Sequence, residues 1–195
     1  MMSAVGNTAK EANDKSRILG WQTAGAVFII GLGSALHFLF AWSGGWRPVA
    51  LIAAVNESVW EHLKLVYWPG LIFLLLSYPV LIKKTKNFWA AGTAGLLTMP
   101  LTIVVLFYGY KIIFRTHHLV YDIAIFVLAA IVGQWIGCRL MLRPPFSRPP
   151  RRIAAALLLA ATLAFSLFSF YPPKYPLFQD SRTGEYGIPG AGLRR

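Results

Sequence analysis

Residues 49–64 read V-A-L-I-A-A-V-N-E-S-V-W-E-H-L-K and decide how the chain is laid out. The segment holds Glu57, Glu61 and His62, in a chain with only seven Asp and Glu and four His. It lies between two long apolar runs, residues 18–42 and 65–82. Its own apolar part, 49–55, makes only about 10 Å of helix, too short to cross a bilayer core. The reading is therefore a short interfacial or re-entrant helix over 49–64, joining two membrane spans.

Composition supports that frame. The 195 residues are 56% hydrophobic and 13% charged, with a mean hydropathy of +0.56. A soluble domain needs a more polar surface, so the class is an integral membrane protein. Spans are expected near 18–42, 65–82, 88–110, 119–142 and 153–171. Trp68-Pro69-Gly70 predicts a kink or a late start in the second. The fold expected is an all-α bundle of about five transmembrane helices plus the short helix. Residues 1–17 read as a mobile polar cytoplasmic tail and 172–195 as an extracytoplasmic tail. Residues 143–152, R-P-P-F-S-R-P-P-R-R, read as a stiff basic linker. Pairs of small residues four apart, Gly31 with Ala35, Ala91 with Gly95 and Gly133 with Gly137, mark places where helices can approach closely.

The formal net charge of +12 does not indicate nucleic-acid binding. The cations fall between apolar runs: Lys10, Lys15 and Arg17 before the first, Lys83, Lys84 and Lys86 after the second, and Arg139, Arg143, Arg148, Arg151 and Arg152 around the fourth and fifth. With five spans these groups share one side. The positive-inside bias then puts the N-terminus in and the C-terminus out, in a cytoplasmic membrane, with the basic side against anionic lipid headgroups. Trp21, Trp89 and Trp135 fall towards inner ends and Trp42, Trp46 and Tyr171 towards outer ends, as interfacial aromatics do. The single cysteine, Cys138, excludes an intrachain disulfide.

In this topology every histidine and every membrane-proximal carboxylate falls at the outer level. They are His37, Glu57, Glu61, His62, His117, His118 and Asp122. Glu57 and Glu61 are one turn apart, as are His118 and Asp122. Ionisable groups in membranes usually face the protein interior and mark function. Imidazoles and carboxylates from neighbouring helices are the ligand set for a divalent metal, zinc first. His37, His62, His117, His118 and Asp122 are the candidate ligands, and Glu61 or Glu57 the candidate general base. Two structural alternatives cover the acids. Ser58 and Glu61 fit a capping box. Alternatively, a helix over 49–64 would turn Glu57, Glu61 and Lys64 to water. Neither accounts for His62. The tail segment 176–188 is apolar enough at Leu177, Phe178, Tyr186 and Ile188 to dock as a lid over the outer cavity, or else is a disordered terminus.

The segments N-E-S-V-W-E-H-L-K (56–64) and P-L-F-Q-D-S-R-T-G-E-Y-G-I (176–188) resemble those of an uncharacterised family of small bacterial integral membrane proteins. The likeness runs from His37 onward and implies the architecture but no activity. A looser analogy is to the intramembrane zinc hydrolases of the alkaline ceramidase and adiponectin-receptor type. Those place His and Asp at one membrane interface on seven helices. This chain has about five, and carries His117-His118 with Asp122 in place of their H-x-x-x-H. Three function classes stay open: a metal-dependent hydrolase or transferase acting on a lipid or lipid-linked substrate, a non-enzymatic assembly or sensor protein whose polar layer is a hydrogen-bond network, and a transporter. The last is disfavoured because no ionisable residue falls at mid-span. A bis-histidine haem protein is a further alternative.

Overall fold

The computed structural model of the chain describes residues 2–115, 118–146 and 151–189. It is all-α: α1 (Met2–Trp42), α2 (Val59–Leu81), α3 (Phe88–Phe114), α4 (Leu119–Met141) and α5 (Arg151–Leu167), with 3-10 turns at Arg47–Leu51 and Pro176–Phe178. Among the described residues four helices are long and apolar enough to cross a membrane, over Lys10–Trp42, Val59–Leu81, Phe88–Phe114 and Leu119–Met141. The architecture is consistent with a helical membrane protein. The helix α5 has 17 residues, about 25 Å of rise against a hydrocarbon core of about 30 Å.

Helices α1 to α4 form a ring in which α1 packs on α2 and α4, and α3 on α2 and α4; α5 lies outside it against α3. The interior is filled by Ile18, Ile29, Val66, Phe88 and Met99, all nearly inaccessible, while the equally buried Tyr67 of α2 is covered by Leu158, Thr162 and Phe165 of α5. Val27, Leu75, Leu101, Val105, Ile131 and Leu159 lie exposed on the outside. Such an outer surface suits lipid rather than water.

Several expected boundaries move. Residues 2–17 are not a loose tail but the first turns of α1, and Asp14 pairs with Lys84 at 2.6 Å. Residues 49–64 are not one helix. Pro48 opens a 3-10 turn that stops at Leu51, and the next helix starts only at Val59, capped by Ser58. The second span therefore begins six residues earlier than the hydropathy suggested. Burial of Glu61 and Lys64 at 2% and 0% exposure admits two charged residues into its first turns. It also runs unbroken through Pro69, so there is no late start. The fifth helix begins at Arg151 and ends at Leu167.

The proline has a structural use. It has no N–H to give the carbonyl of Leu65, four residues back. That carbonyl faces α1 at Gly33, where a Cβ would collide with it. A close backbone approach of α1 to α2 thus sits one turn before His37.

Of the small-residue pairs, two are interfaces. Ala91 is fully buried, and a Cβ on Gly95 would stand 2.6 Å from the Gly133 carbonyl and 3.1 Å from the Gly137 backbone. Gly31 meets nothing within 4 Å and is not in a contact.

At the end of the bundle near Asp14, Asn87 ties two loops. Its Nδ2 donates to the carbonyls of Leu140, Arg143 and Pro144, and its Oδ1 accepts from the N–H of Phe146. The opposite end carries residues 43–58, the end of α5 and the tail, and there the polar groups gather.

Gly95→Leu and Gly133→Leu are expected to force α3 from α4 and cost about 1–3 kcal/mol or more, the usual penalty of overpacking. Gly31→Leu should be close to neutral. Thermal unfolding in detergent checks the contrast.

Candidate functional site

Ser58 stops the irregular segment and starts α2. Its Oγ accepts from the N–H of Glu61 at 3.3 Å, half of the expected capping box. The other half is absent: Asn56 Oδ1, not Glu61, accepts from the Ser58 N–H at 2.9 Å. The Glu61 carboxylate turns inward instead. Its Oε2 accepts from the Val55 N–H at 3.0 Å and pairs with Lys64 Nζ at 2.6 Å; its Oε1 accepts from Ser169 Oγ at 2.7 Å. Lys64 Nζ also donates to the Ala50 carbonyl at 2.8 Å and lies 2.7 Å from Ser169 Oγ. Ser169 is fully buried, like the pair. Every member is satisfied, as a buried ion pair requires. Glu61 is thereby committed to the architecture: both oxygens are occupied and sealed from solvent. That is the position of a structural anchor rather than of the general base expected.

Glu57 and the histidines behave differently. His37, Glu57 and His62 each offer one ligand atom, and the three atoms lie within 4.8 Å of one another. Each residue is half-buried. The His37 and His62 rings meet edge to face with centroids 5.2 Å apart. His62 Nδ1 lies 2.8 Å from the Ser58 carbonyl. A carbonyl can only accept, so Nδ1 carries the hydrogen. In the neutral ring Nε2 then presents a lone pair. It faces Glu57 Oε2 at 3.5 Å. Two acceptors held face to face need a proton or a cation between them. The Nδ1–H···O=C bond that fixes the ring is the supporting contact commonly made by metal-ligating histidines. The 3.5 Å between His62 Nε2 and Glu57 Oε2 suits the same purpose, since tetrahedral zinc with bonds of about 2.0–2.1 Å sets its ligand atoms about 3.3 Å apart.

Helix α1 brings His37 here because its close contact at Gly33 lies one turn away on the same face. The other predicted ligands stand elsewhere. Asp122 accepts a hydrogen bond from Tyr110, and the His118 ring meets Tyr121 edge to face at 5.7 Å. These two belong to the α3–α4 corner, and among the described residues they are not part of the His37 group. His117 lies outside the described residues.

The tail is docked. Trp60 stacks on Phe165 and meets Phe178 at a tilt, with ring centroids 4.7 Å apart in each pair. Asn56 Nδ2 donates to the Gly187 carbonyl at 2.8 Å, and Ser181 Oγ donates to the Glu57 carbonyl at 3.2 Å. Asp180 Oδ2 accepts from the Glu57 N–H at 3.1 Å, while Oδ1 accepts from the N–H groups of Arg182 and Thr183. Arg182 reaches Glu57 Oε1 at 3.7 Å. Burial alone would push the Asp180 carboxyl up, but the N–H donors of Thr183, Glu57 and Arg182 outweigh it and hold the group below its usual range. Sequence reasoning did not find Lys64, Ser169, Asp180 or Arg182 as partners. Their signal is sparse: polar residues at two apolar helix ends and in a turn, each more than a hundred positions from at least one partner.

Two predictions follow from these bonds. Lys64→Met alone strands Glu61 in a dry site and is expected to cost about 3–5 kcal/mol; adding Glu61→Gln should recover part of it, read by unfolding in detergent. For the tail, the Asp180 contribution is present above the unfolded carboxyl value of about 4 and is lost as pH falls through the lower folded value. Hydrogen-exchange protection over 176–188, taken relative to the intrinsic rate at each pH, should therefore be steady above about pH 4 and fall below it. Asp180→Asn should remove that dependence and loosen docking by about 2 kcal/mol.

Comparison with curated proteins and with solved structures finds no match. A family model does match, over residues 10–188, almost the whole described structure. The chain belongs to that family, DUF6512, a family of unknown function.

Proposed function

We propose that this membrane protein holds a divalent transition metal, zinc first, between His37, His62 and Glu57, at the extracytoplasmic interface of the cytoplasmic membrane. It acts there as a hydrolase or transferase on a lipid or lipid-linked substrate. The observation that carries this is the His62 lone pair turned onto the Glu57 carboxylate with His37 beside it. Three protein ligands leave a coordination position open, the pattern of catalytic rather than structural zinc. A bound ion supplies a Lewis acid and makes its water acidic enough to react near neutral pH. Glu57 then serves as ligand rather than base, and the fully engaged Glu61 holds the floor of the site.

The topology proposed has five spans, N-terminus in and C-terminus out. Arg151 lines a cleft with Lys86 and Asn87 at one end of the bundle, and Ser169 meets Lys64 at the other. α5 and the turn after it therefore run the same depth as α2, which supports a fifth crossing despite its 17 residues. Anionic headgroups would meet the basic end.

A second reading has its own support. Glu57 lies between His62 and Arg182 at 3.5 and 3.7 Å, so a proton on His62 would complete an ion-pair network without a metal, as in a non-enzymatic assembly or pH-sensing protein.

Metal analysis of protein purified without chelators separates the two. The first reading expects about one ion per chain, most of it lost in His62→Ala and in Glu57→Ala, and unchanged in His118→Ala and Asp122→Asn. Absence of metal from the wild type, with reduced stability in His62→Ala, would establish the network instead.

A further inference from the structure

The surroundings of the His37 group are lopsided in a way that bears on substrate class. On one flank stands Arg182. Its backbone is pinned through the N–H to Asp180 at 2.7 Å, yet its side chain is 75% exposed and reaches Glu57 at only 3.7 Å. This guanidinium is held in place at its root and free at its tip. From His37 itself an aromatic ladder leads along α1. Phe38 stacks on the His37 ring at 4.9 Å and on Trp42 at 5.7 Å. Phe38 and Trp42 are 53% and 69% exposed, at the end of a membrane helix.

Charge near the site is unbalanced once an ion is present. A divalent cation and Arg182 would face one carboxylate, Glu57. The neighbouring acid, Asp180, spends its oxygens on the N–H groups of Glu57, Arg182 and Thr183, and Glu61 is sealed against Lys64. A ligand that brings negative charge is favoured, and guanidinium recognises phosphate through parallel N–H donors. The exposed aromatic steps suit an acyl or prenyl chain rising from the bilayer.

We propose that the site takes a phosphate-bearing amphiphile. Its anionic headgroup sits between Arg182 and the ion held by His37, Glu57 and His62, and its chain lies along Phe38 and Trp42. This rests on the metal reading above. Arg182 is the positioning residue for the headgroup: it leaves Glu57 to the metal and turns to the phosphate.

The test uses the full chain in detergent, with zinc content measured first and binding then followed by calorimetry. The probes are dihexanoyl phosphatidate, dihexanoyl phosphatidylcholine, dihexanoylglycerol and inorganic phosphate. Phosphatidate should bind about tenfold tighter than the zwitterionic and neutral lipids, the scale of a charge-assisted pair. Arg182→Gln should remove most of that preference while zinc content stays at the wild-type level. Phe38→Ala should weaken phosphatidate without altering inorganic phosphate. Full preference retained in Arg182→Gln, or none in the zinc-loaded wild type, overturns the headgroup assignment. Inorganic phosphate binding as well as phosphatidate overturns the lipid assignment. A wild type that takes up no zinc is a different failure and falls on the metal reading.

Discussion

A carboxylate and an ammonium taken out of water at the end of a membrane helix hold this end of the protein together. Isolated, either charge would be expelled or neutralised. Together, Glu61 and Lys64 are tolerable because each also has neutral partners: Val55 N–H and Ser169 Oγ for the acid, the Ala50 carbonyl and the same serine for the base. Those partners come from three segments: the turn before α2, the stretch leading into it, and the chain leaving α5. The ion pair thus sets where all three meet. The tail and the histidine group are assembled on that junction.

The arrangement separates two carboxylates four residues apart. Glu61 faces inward, dry and fully bonded. Glu57, outside the helix, faces the histidines and remains half-exposed. Ser58 lies between them and makes the division: its position as N-cap ends the irregular segment, and its carbonyl orients the His62 ring. One short segment therefore supplies an anchor, a cap and two members of the candidate site.

The membrane class, the four long apolar helices and the small-residue faces of α3 and α4 were legible in composition and in the Ala91, Gly95, Gly133 and Gly137 spacing. So was the gathering of His37, Glu57 and His62 at one end. Lys64 was misleading. Period and charge placed it with Glu57 and Glu61 on a wet face, because a lysine is almost never fully buried. Nothing local in the sequence announces Ser169, 105 positions away, as the partner that makes burial tolerable. The first turns of α1 were misread for a related reason. Their polarity suggested a loose tail, whereas Asp14 has Lys84 to pair with on a distant loop. His118 and Asp122 share the right end but the wrong corner, and only the packing of α3 against α4 distinguishes them.

The Leu65 carbonyl, to which Pro69 has no N–H to give, is seated on Gly33 and acts as a register mark between α1 and α2. It fixes both the height and the rotation of α1 at one point. Because a helix turns about 100° per residue, one amino acid inserted between Gly33 and His37 would keep that seat intact yet swing the imidazole a quarter-turn around the helix. The chain length between glycine and histidine is thus as much a part of the cluster as the side chains in it.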